Sequence, residues 1–151
     1  MAILKIVKFD EPMIRKISRP VDEITPRIER LIDDMIDTMR AAGGCGLAAV
    51  QVGVLRRIAV IEVEEGKVHV LINPKIVAYA GEQRESEGCL SNPGAYGLTK
   101  RPRAVTVRAT DRDGNEYELR GTDLLARAIC HECDHLDGKL YTDVQIKPLE
   151  D

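Results

Sequence analysis

Two histidines and a glutamate lie together near the end of this 151-residue chain, in the run His131-Glu132-Cys133-Asp134-His135. Residues four apart share one face of a helix, so both imidazoles can reach a single metal ion. Glu132 is then placed to take a proton from a water molecule at that ion, the chemistry typical of His-Glu-x-x-His. A solvated helix face is the alternative, but the chain has only three histidines. The pattern therefore predicts a hydrolytic metal site.

A third ligand is needed, because catalytic sites of this kind usually have three protein ligands and one open position. Tyr141 stands six residues after His135, where metzincin proteases have their third histidine. Asp143 and Glu150 could bind the ion only if the short segment after His135 turned back toward it. We therefore place the third ligand upstream, at Cys89, since thiolate binds zinc and is compatible with Fe(II). Taken alone, such a cysteine is more often a small buried hydrophobic residue.

A glycine-containing segment, Gly44-Cys-Gly-Leu-Ala-Ala-Val-Gln-Val-Gly53, is the third candidate for chemistry. Its glycines permit close approach of the backbone to a ligand. Gln51 offers an uncharged amide donor that can stabilise a developing oxyanion. Without its context, the same segment is a helix C-cap followed by a tight turn, with Gln51 at the surface.

Two helices are expected to flank these residues. Thr25 is a suitable N-cap and Pro26 suits the first helical position, and apolar residues then recur at helical spacing until Gly43-Gly44. A second helix is expected from Thr122, as N-cap, to about Leu136, with its apolar face buried against a sheet. Such a helix would hold the two histidines rigidly.

The chain between the helices is rich in β-branched residues and indicates strands. Glu65-Gly66 and Asp113-Gly114 are predicted hairpin turns, and Asp10-Glu11-Pro12 can begin a short helical turn. The fold class expected is α+β, with mostly antiparallel β-sheets packed around a C-terminal metal-binding helix and with an N-terminal helix. We expect residues 1–151 to form one domain. Strands are predicted at 57–63, 68–72, 76–79, 104–110 and 117–119.

Composition excludes several classes of protein. Apolar residues make up 44% and charged residues 31% of the chain, as in globular proteins. A net charge of −3 gives no reason to expect nucleic-acid readout, and the basic run Lys100-Arg101-Pro102-Arg103 is interpreted as a solvated turn. No segment has the roughly 20 apolar residues that span a membrane.

The chain shows no secretory signal, because charge interrupts residues 1–8. Four cysteines without such a signal suggest free thiols and a cytoplasmic protein. An organellar protein whose transit peptide has been removed is the alternative. Cys130 and Cys133 lie off the metal face of the helix and are interpreted as packing residues.

Taken in order, the three segments resemble those of the peptide deformylase family. The family pattern is Gly-x-Gly-Leu-Ala-Ala-x-Gln, then Glu-Gly-Cys-Leu-Ser, then His-Glu-x-x-His followed by Leu. Here these are residues 44–51, 87–91 and 131–136, and the resemblance covers essentially the whole chain. Cys45 and Val50 depart from the aliphatic residue and the proline often found there. Neither departure removes a reacting group, although Cys45 changes the pocket wall.

The resemblance implies a metal-dependent hydrolase that removes the N-formyl group from the N-formylmethionine of newly synthesised polypeptides and releases formate. It implies Cys89, His131 and His135 as metal ligands, Glu132 as general acid and base, and the Gln51 side chain with the Leu90 backbone N–H as oxyanion donors. It also implies substrate contacts from Gly44, Cys45, Gly46, Leu124 and Ala128. The peptide backbone is expected to pair beside the first three of these as an added strand.

The resemblance further implies a metal and partners. The family's ion in the cell is typically Fe2+, which Zn2+, Ni2+ or Co2+ can replace. We expect a monomer that binds nascent chains, associates transiently with the ribosome and has no membrane contact. A zinc metalloprotease that cleaves internal peptide bonds and a non-enzymatic zinc-stabilised module are the alternatives; four protein ligands to the ion would favour the module.

Overall fold

The computed structural model describes residues 2–149, which include three α-helices and eight strands. Met1, Glu150 and Asp151 lie outside the described residues. The helices are α1 (Pro26–Ala41), α2 (Asp123–Leu136) and α3 (Tyr141–Val144). The strands are β1 (Gly46–Ala48), β2 (Ile58–Glu64), β3 (Lys67–Ala80), β4 (Gln83–Cys89), β5 (Asn92–Arg101), β6 (Ala104–Thr110), β7 (Glu116–Thr122) and β8 (Gln145–Leu149). Short 3₁₀ turns span Pro12–Arg15 and Ala49–Val52.

The strands form two antiparallel sheets, a five-stranded sheet in the order β1-β2-β3-β6-β7 and a three-stranded sheet in the order β4-β5-β8. Both predicted hairpin turns are present, between β2 and β3 and between β6 and β7. The predicted α+β class with antiparallel sheets is confirmed.

Helix α1 begins as its sequence predicts. The Thr25 hydroxyl accepts a hydrogen bond from the Ile28 N–H at 3.2 Å, and Pro26 is the first helical residue. Its buried stripe, which includes Ile32 and Met35, packs against the five-stranded sheet. The predicted helix is therefore confirmed.

Strand β2 explains why helices cover both faces of the five-stranded sheet. Successive side chains of a strand point to opposite faces. Ile58 and Val60 pack in the cluster that contains α1, whereas Ala59 and Ile61 pack in the cluster that contains α2.

Within residues 2–149 no helix has the length and apolar composition to cross a membrane.

Strand β3 joins two predicted strands into one. The register with β6 shifts between Ile72 and Lys75, so the chain bends without leaving the sheet. Asn73 lies at the bend with a φ of 53°, and its side chain bonds both the N–H and the carbonyl of Val21 at 2.8 Å. These two bonds hold the bend that separated the predicted segments.

None of the strands of the three-stranded sheet was among those predicted. Strand β4 reads Gln-Arg-Glu-Ser-Glu-Gly-Cys and lacks β-branched residues. The interpretation of the basic run as a solvated turn is wrong for Arg101. That residue ends β5 with only 7% of its surface exposed, between two acidic side chains. The neighbouring Lys100 is exposed and pairs with Glu82.

Helix α2 has the predicted limits. Thr122 is the N-cap residue of α2, as predicted, although its side chain makes no capping hydrogen bond. At the other end, the Arg57 Nη1 donates a hydrogen bond to the Leu136 carbonyl at 3.1 Å, so one of the last carbonyls of the helix has a partner. Cys130 and Cys133 pack into the apolar core, as predicted.

Candidate metal centre

Cys89, His131 and His135 converge on one point, as the sequence predicts. The Cys89 Sγ lies 3.2 Å from the His135 Nε2, which lies 3.2 Å from the His131 Nε2. Two ligand atoms about 2.0–2.3 Å from one tetrahedral ion are separated by roughly 3.5 Å, so the spacing fits a metal. A thiolate with two imidazoles suits Zn or Fe(II). Asp143 instead pairs with Arg15 at the surface.

The His131 ring is oriented by a buried carboxylate. Its Nδ1–H donates to Glu87, which leaves Nε2 directed at the metal point. Glu87 also accepts from the Nε and Nη2 of Arg101 at 3.1 and 2.8 Å, and from the Thr99 hydroxyl at 2.9 Å. Burial opposes its ionisation, but the bonds from His131 and Arg101 lower the pKa of Glu87 to about 2. The sequence did not predict that Glu87 orients His131 or that Arg101 bonds Glu87, although Glu87 lies two residues before Cys89.

The two imidazoles differ in electrostatic environment. Burial disfavours the charged form of both rings. The pKa of His131 is nevertheless raised, because Glu132, Cys89 and Glu87 surround the ring. The pKa of His135 is lowered by burial and by the neighbouring His131. The His135 imidazole is thus kept neutral, and a neutral imidazole has a nitrogen lone pair that can bind a metal ion.

Glu132 lies beside the converging ligands with 3% of its surface exposed. Its Oε1 is buried and has no hydrogen-bond partner among the described residues. The side chain passes directly over Gly46, where a Cβ would collide with the Glu132 Oε2. Burial raises the pKa of Glu132 to about 7. An unpaired carboxylate oxygen at the wall of a cleft is suited to proton transfer.

Gln51 is buried, with 1% of its surface exposed, so the alternative that placed it at the surface is wrong. Its Oε1 accepts a hydrogen bond from the Ala48 N–H at 2.9 Å, which fixes the orientation of the amide. The Nε2 donates to the Ser91 hydroxyl at 3.0 Å and lies 3.5 Å from the Cys89 Sγ. The donor side of the amide therefore faces the candidate metal ligands.

A cleft of about 480 Å³ opens above the metal point. Leu90 packs over Gly44, where a Cβ would lie 2.6 Å from the Leu90 Cδ1. Tyr96 and Arg127, which were not predicted, also line the cleft. The structure brings all the predicted substrate contacts to this cleft, namely Gly44, Cys45, Gly46, Leu124 and Ala128.

Known sequences resemble this chain over its length. The family model described as polypeptide deformylase matches residues 3–150. A peptide deformylase of Alkaliphilus metalliredigens is 54% identical over 147 residues, which cover 97% of this chain and 99% of the relative. A peptide deformylase of Caldanaerobacter subterraneus subsp. tengcongensis is 53% identical over 150 residues, which cover 99% of this chain and 94% of the relative.

Solved structures resemble the fold equally well. A peptide deformylase from Legionella pneumophila superposes with a TM-score of 0.92 at 45% identity, covering 95% of this chain and 86% of that one. A peptide deformylase from Ehrlichia chaffeensis in complex with actinonin superposes with a TM-score of 0.93 at 38% identity, covering 95% and 89%. The similarity therefore extends from the motifs to the whole described fold.

Proposed function

The chain belongs to the polypeptide deformylase family, and from that premise we propose that Cys89, His131 and His135 form the centre of its activity. The enzyme is a metal-dependent hydrolase that removes the formyl group from the N-terminal methionine of nascent polypeptides. The observation that carries the assignment of the centre is the convergence of one sulfur and two ring nitrogens beside the unpaired Oε1 of Glu132.

Fe2+ is the resident ion in this proposal, with Zn2+, Ni2+ or Co2+ as substitutes. The mixed set of thiolate and imidazole ligands accepts each of these ions. When bound, the ion acts as a Lewis acid that lowers the pKa of water toward neutrality. Three ligating side chains converge among residues 2–149, which argues against a zinc-stabilised module with four protein ligands.

Glu132 moves the proton. Its Oε1 accepts a proton from the attacking water as the new C–O bond forms at the formyl carbon. The same oxygen then delivers the proton to the amide nitrogen as the C–N bond breaks. Formate and a free amino terminus result, and the carboxylate is regenerated. The bare backbone of Gly46 leaves the space in which the carboxylate works.

Gln51 and Leu90 stabilise the charge that develops on the formyl oxygen. The Gln51 Nε2 is held on the metal side of its amide by the Ala48 N–H, and the Leu90 backbone N–H is the second donor. Donors fixed in place before reaction lose little energy to reorganisation, and removal of one typically costs about 100- to 1000-fold in rate.

The substrate lies along the cleft in this proposal. Its backbone pairs beside Gly44, Cys45 and Gly46 as an added strand, and its methionine side chain enters the space lined by Leu124 and Ala128. Because the substrates are nascent chains, the enzyme is proposed to be cytoplasmic and to associate transiently with the ribosome. Residues 1–151 are proposed to act as a single-domain monomer, without nucleic-acid readout or membrane contact.

Substitution of Glu132 tests this assignment. Glu132→Gln keeps the shape of the side chain but removes its proton-accepting charge, so we expect bound metal to be retained and kcat to fall at least about 100-fold. Formate release from formyl-Met-Ala-Ser and metal content are measured on anaerobically prepared protein. Glu118→Gln, at an exposed position of strand β7, is the matched control. A Glu132→Gln enzyme with most of its activity would contradict the role.

A further inference from the structure

Tyr141 is buried directly behind the candidate metal centre. Tyr141 is the first residue of α3, and 2% of its surface is exposed. Its ring lies 6.2 Å from the His131 imidazole, centroid to centroid, with 21° between the ring planes. On another side it contacts the Phe9 ring at 5.7 Å. The tyrosine ring therefore forms part of the wall against which a ligand imidazole rests.

The Tyr141 hydroxyl makes a hydrogen bond that an apolar ring would lack. The Asn92 Nδ2 donates to it at 3.1 Å. Asn92 begins β5 and is the residue opposite Cys89 in the register of the β4-β5 pair. The bond therefore links the turn that carries Cys89 to the ring that packs against His131.

The same turn is held from a second direction. The Phe9 N–H donates to the Ser91 carbonyl at 3.0 Å, so the N-terminal segment touches both the turn and Tyr141. Burial of the Tyr141 hydroxyl costs free energy unless it has a hydrogen-bond partner, and the partly buried Asn92 amide supplies that partner. The hydrogen bond between Asn92 and Tyr141 thus restrains the position of the turn relative to the tyrosine ring more tightly than apolar packing alone would.

We propose that Asn92 and Tyr141 are a pair of positioning residues that set the distance between the Cys89 thiolate and the His131 imidazole. The inference rests on the proposed function of this centre. The pair fixes ligands that belong to different elements, so its loss acts on metal retention and on kcat, and leaves KM nearly unchanged. Outer partners of metal ligands typically contribute about 10- to 100-fold in metal affinity or activity.

A double-mutant cycle tests the pair, with Tyr141→Phe, Asn92→Ala and the double variant. Tyr141→Phe removes one oxygen and keeps the ring. We expect kcat on formyl-Met-Ala-Ser to fall about 10-fold with KM within about 2-fold, and Zn2+ to be released to a chelator about 10-fold faster. The visible spectrum of the Co2+-substituted enzyme should shift, because the thiolate–imidazole geometry changes. The double variant should match the more affected single variant.

Tyr117→Phe is the matched control, because it also removes a hydroxyl that bonds a single partner, the Val70 carbonyl, away from the cleft. It should lower the melting temperature without changing kcat or the release of Zn2+. If Tyr141→Phe behaved like this control, or if the two losses were additive, the positioning pair would be disproved. An inactive wild-type enzyme would instead contradict the proposed function, while release of Zn2+ would still test the pair.

Discussion

Gly46 shows how a single residue determines whether the cleft can work. The Glu132 carboxylate lies so close to this position that a Cβ would collide with its Oε2. We expect Gly46→Ala to displace the carboxylate and to lower kcat at least about 100-fold, the range of a lost general acid–base group. Metal content should stay unchanged, since no ligand is moved, and it is measured beside formate release. Activity within a few-fold of wild type would show that Glu132 tolerates a shift.

Arg101 is the buried cation that supports His131 through Glu87. Its Nη1 also bonds Asp134 at 2.7 Å, so one guanidinium neutralises two carboxylates. Arg101→Met removes the cation that both carboxylates share, and we expect a loss of about 3–5 kcal/mol in the free energy of unfolding by urea. Adding Glu87→Gln should recover part of that loss, because it removes the more deeply buried charge. A loss below about 1 kcal/mol would contradict the role of the ion pairs.

The residues that act directly could be predicted, whereas those that orient them could not. The spacing of His131, Glu132 and His135 places their side chains together when the segment is a helix, so it could be recognised in the sequence. Cys89 was then predicted because the site needs a third ligand. The burial of Gln51 and Arg101 depends on contacts distant in the sequence, with Ser91 and Asp134. Polarity alone therefore placed Arg101 wrongly at the surface, and for Gln51 it left a surface position open as the alternative to a role in the site.

The helices and strands also differ in how well the sequence predicted them. Helices α1 and α2 and four strands of the five-stranded sheet follow from the sequence pattern, because each buries a face against another layer. Strand β1 and the short helix α3 were not predicted. Strands β4, β5 and β8 form a sheet whose sequence is polar, so periodicity gave little signal. Yet β4 carries Cys89. The sheet that supplies the thiolate was thus less predictable than the helix that supplies the imidazoles.

An ion pair between α1 and β2 gives a prediction about pH at this scale. Arg40 bonds both carboxylate oxygens of Glu62, which also accepts from the Gly66 N–H. These bonds lower the pKa of Glu62 from its ordinary 4.5. The pair therefore stabilises the fold above pH 4.5, and this contribution is lost as the pH falls through the lowered pKa.

The Glu62→Gln variant isolates that contribution. Its melting temperature should be slightly below wild type at pH 7. The difference should shrink as the pH falls below 4.5 and disappear once the pH is below the lowered pKa of Glu62. Thermal unfolding of both proteins across this range makes the comparison. A difference that persisted or grew in acid would mean that the pair does not stabilise the fold.

At the scale of the whole molecule, the candidate metal centre joins the two sheets. Cys89 belongs to the three-stranded sheet, whereas His131 and His135 belong to α2, which packs on the five-stranded sheet. A bound ion therefore cross-links both layers and stabilises the native state over the unfolded chain. Metal removal should lower the melting temperature, and re-addition should restore it. Equal melting temperatures with and without metal would contradict the cross-link.

Formate release measured together with metal content tests the central claim most directly. Anaerobically prepared enzyme is assayed on formyl-Met-Ala-Ser as isolated, after chelation and after addition of Fe2+. We predict about one ion per chain, formate release that disappears with the ion and returns with Fe2+, and neither in Cys89→Ala. Full formate release by the metal-free enzyme, or by Cys89→Ala, would contradict the account.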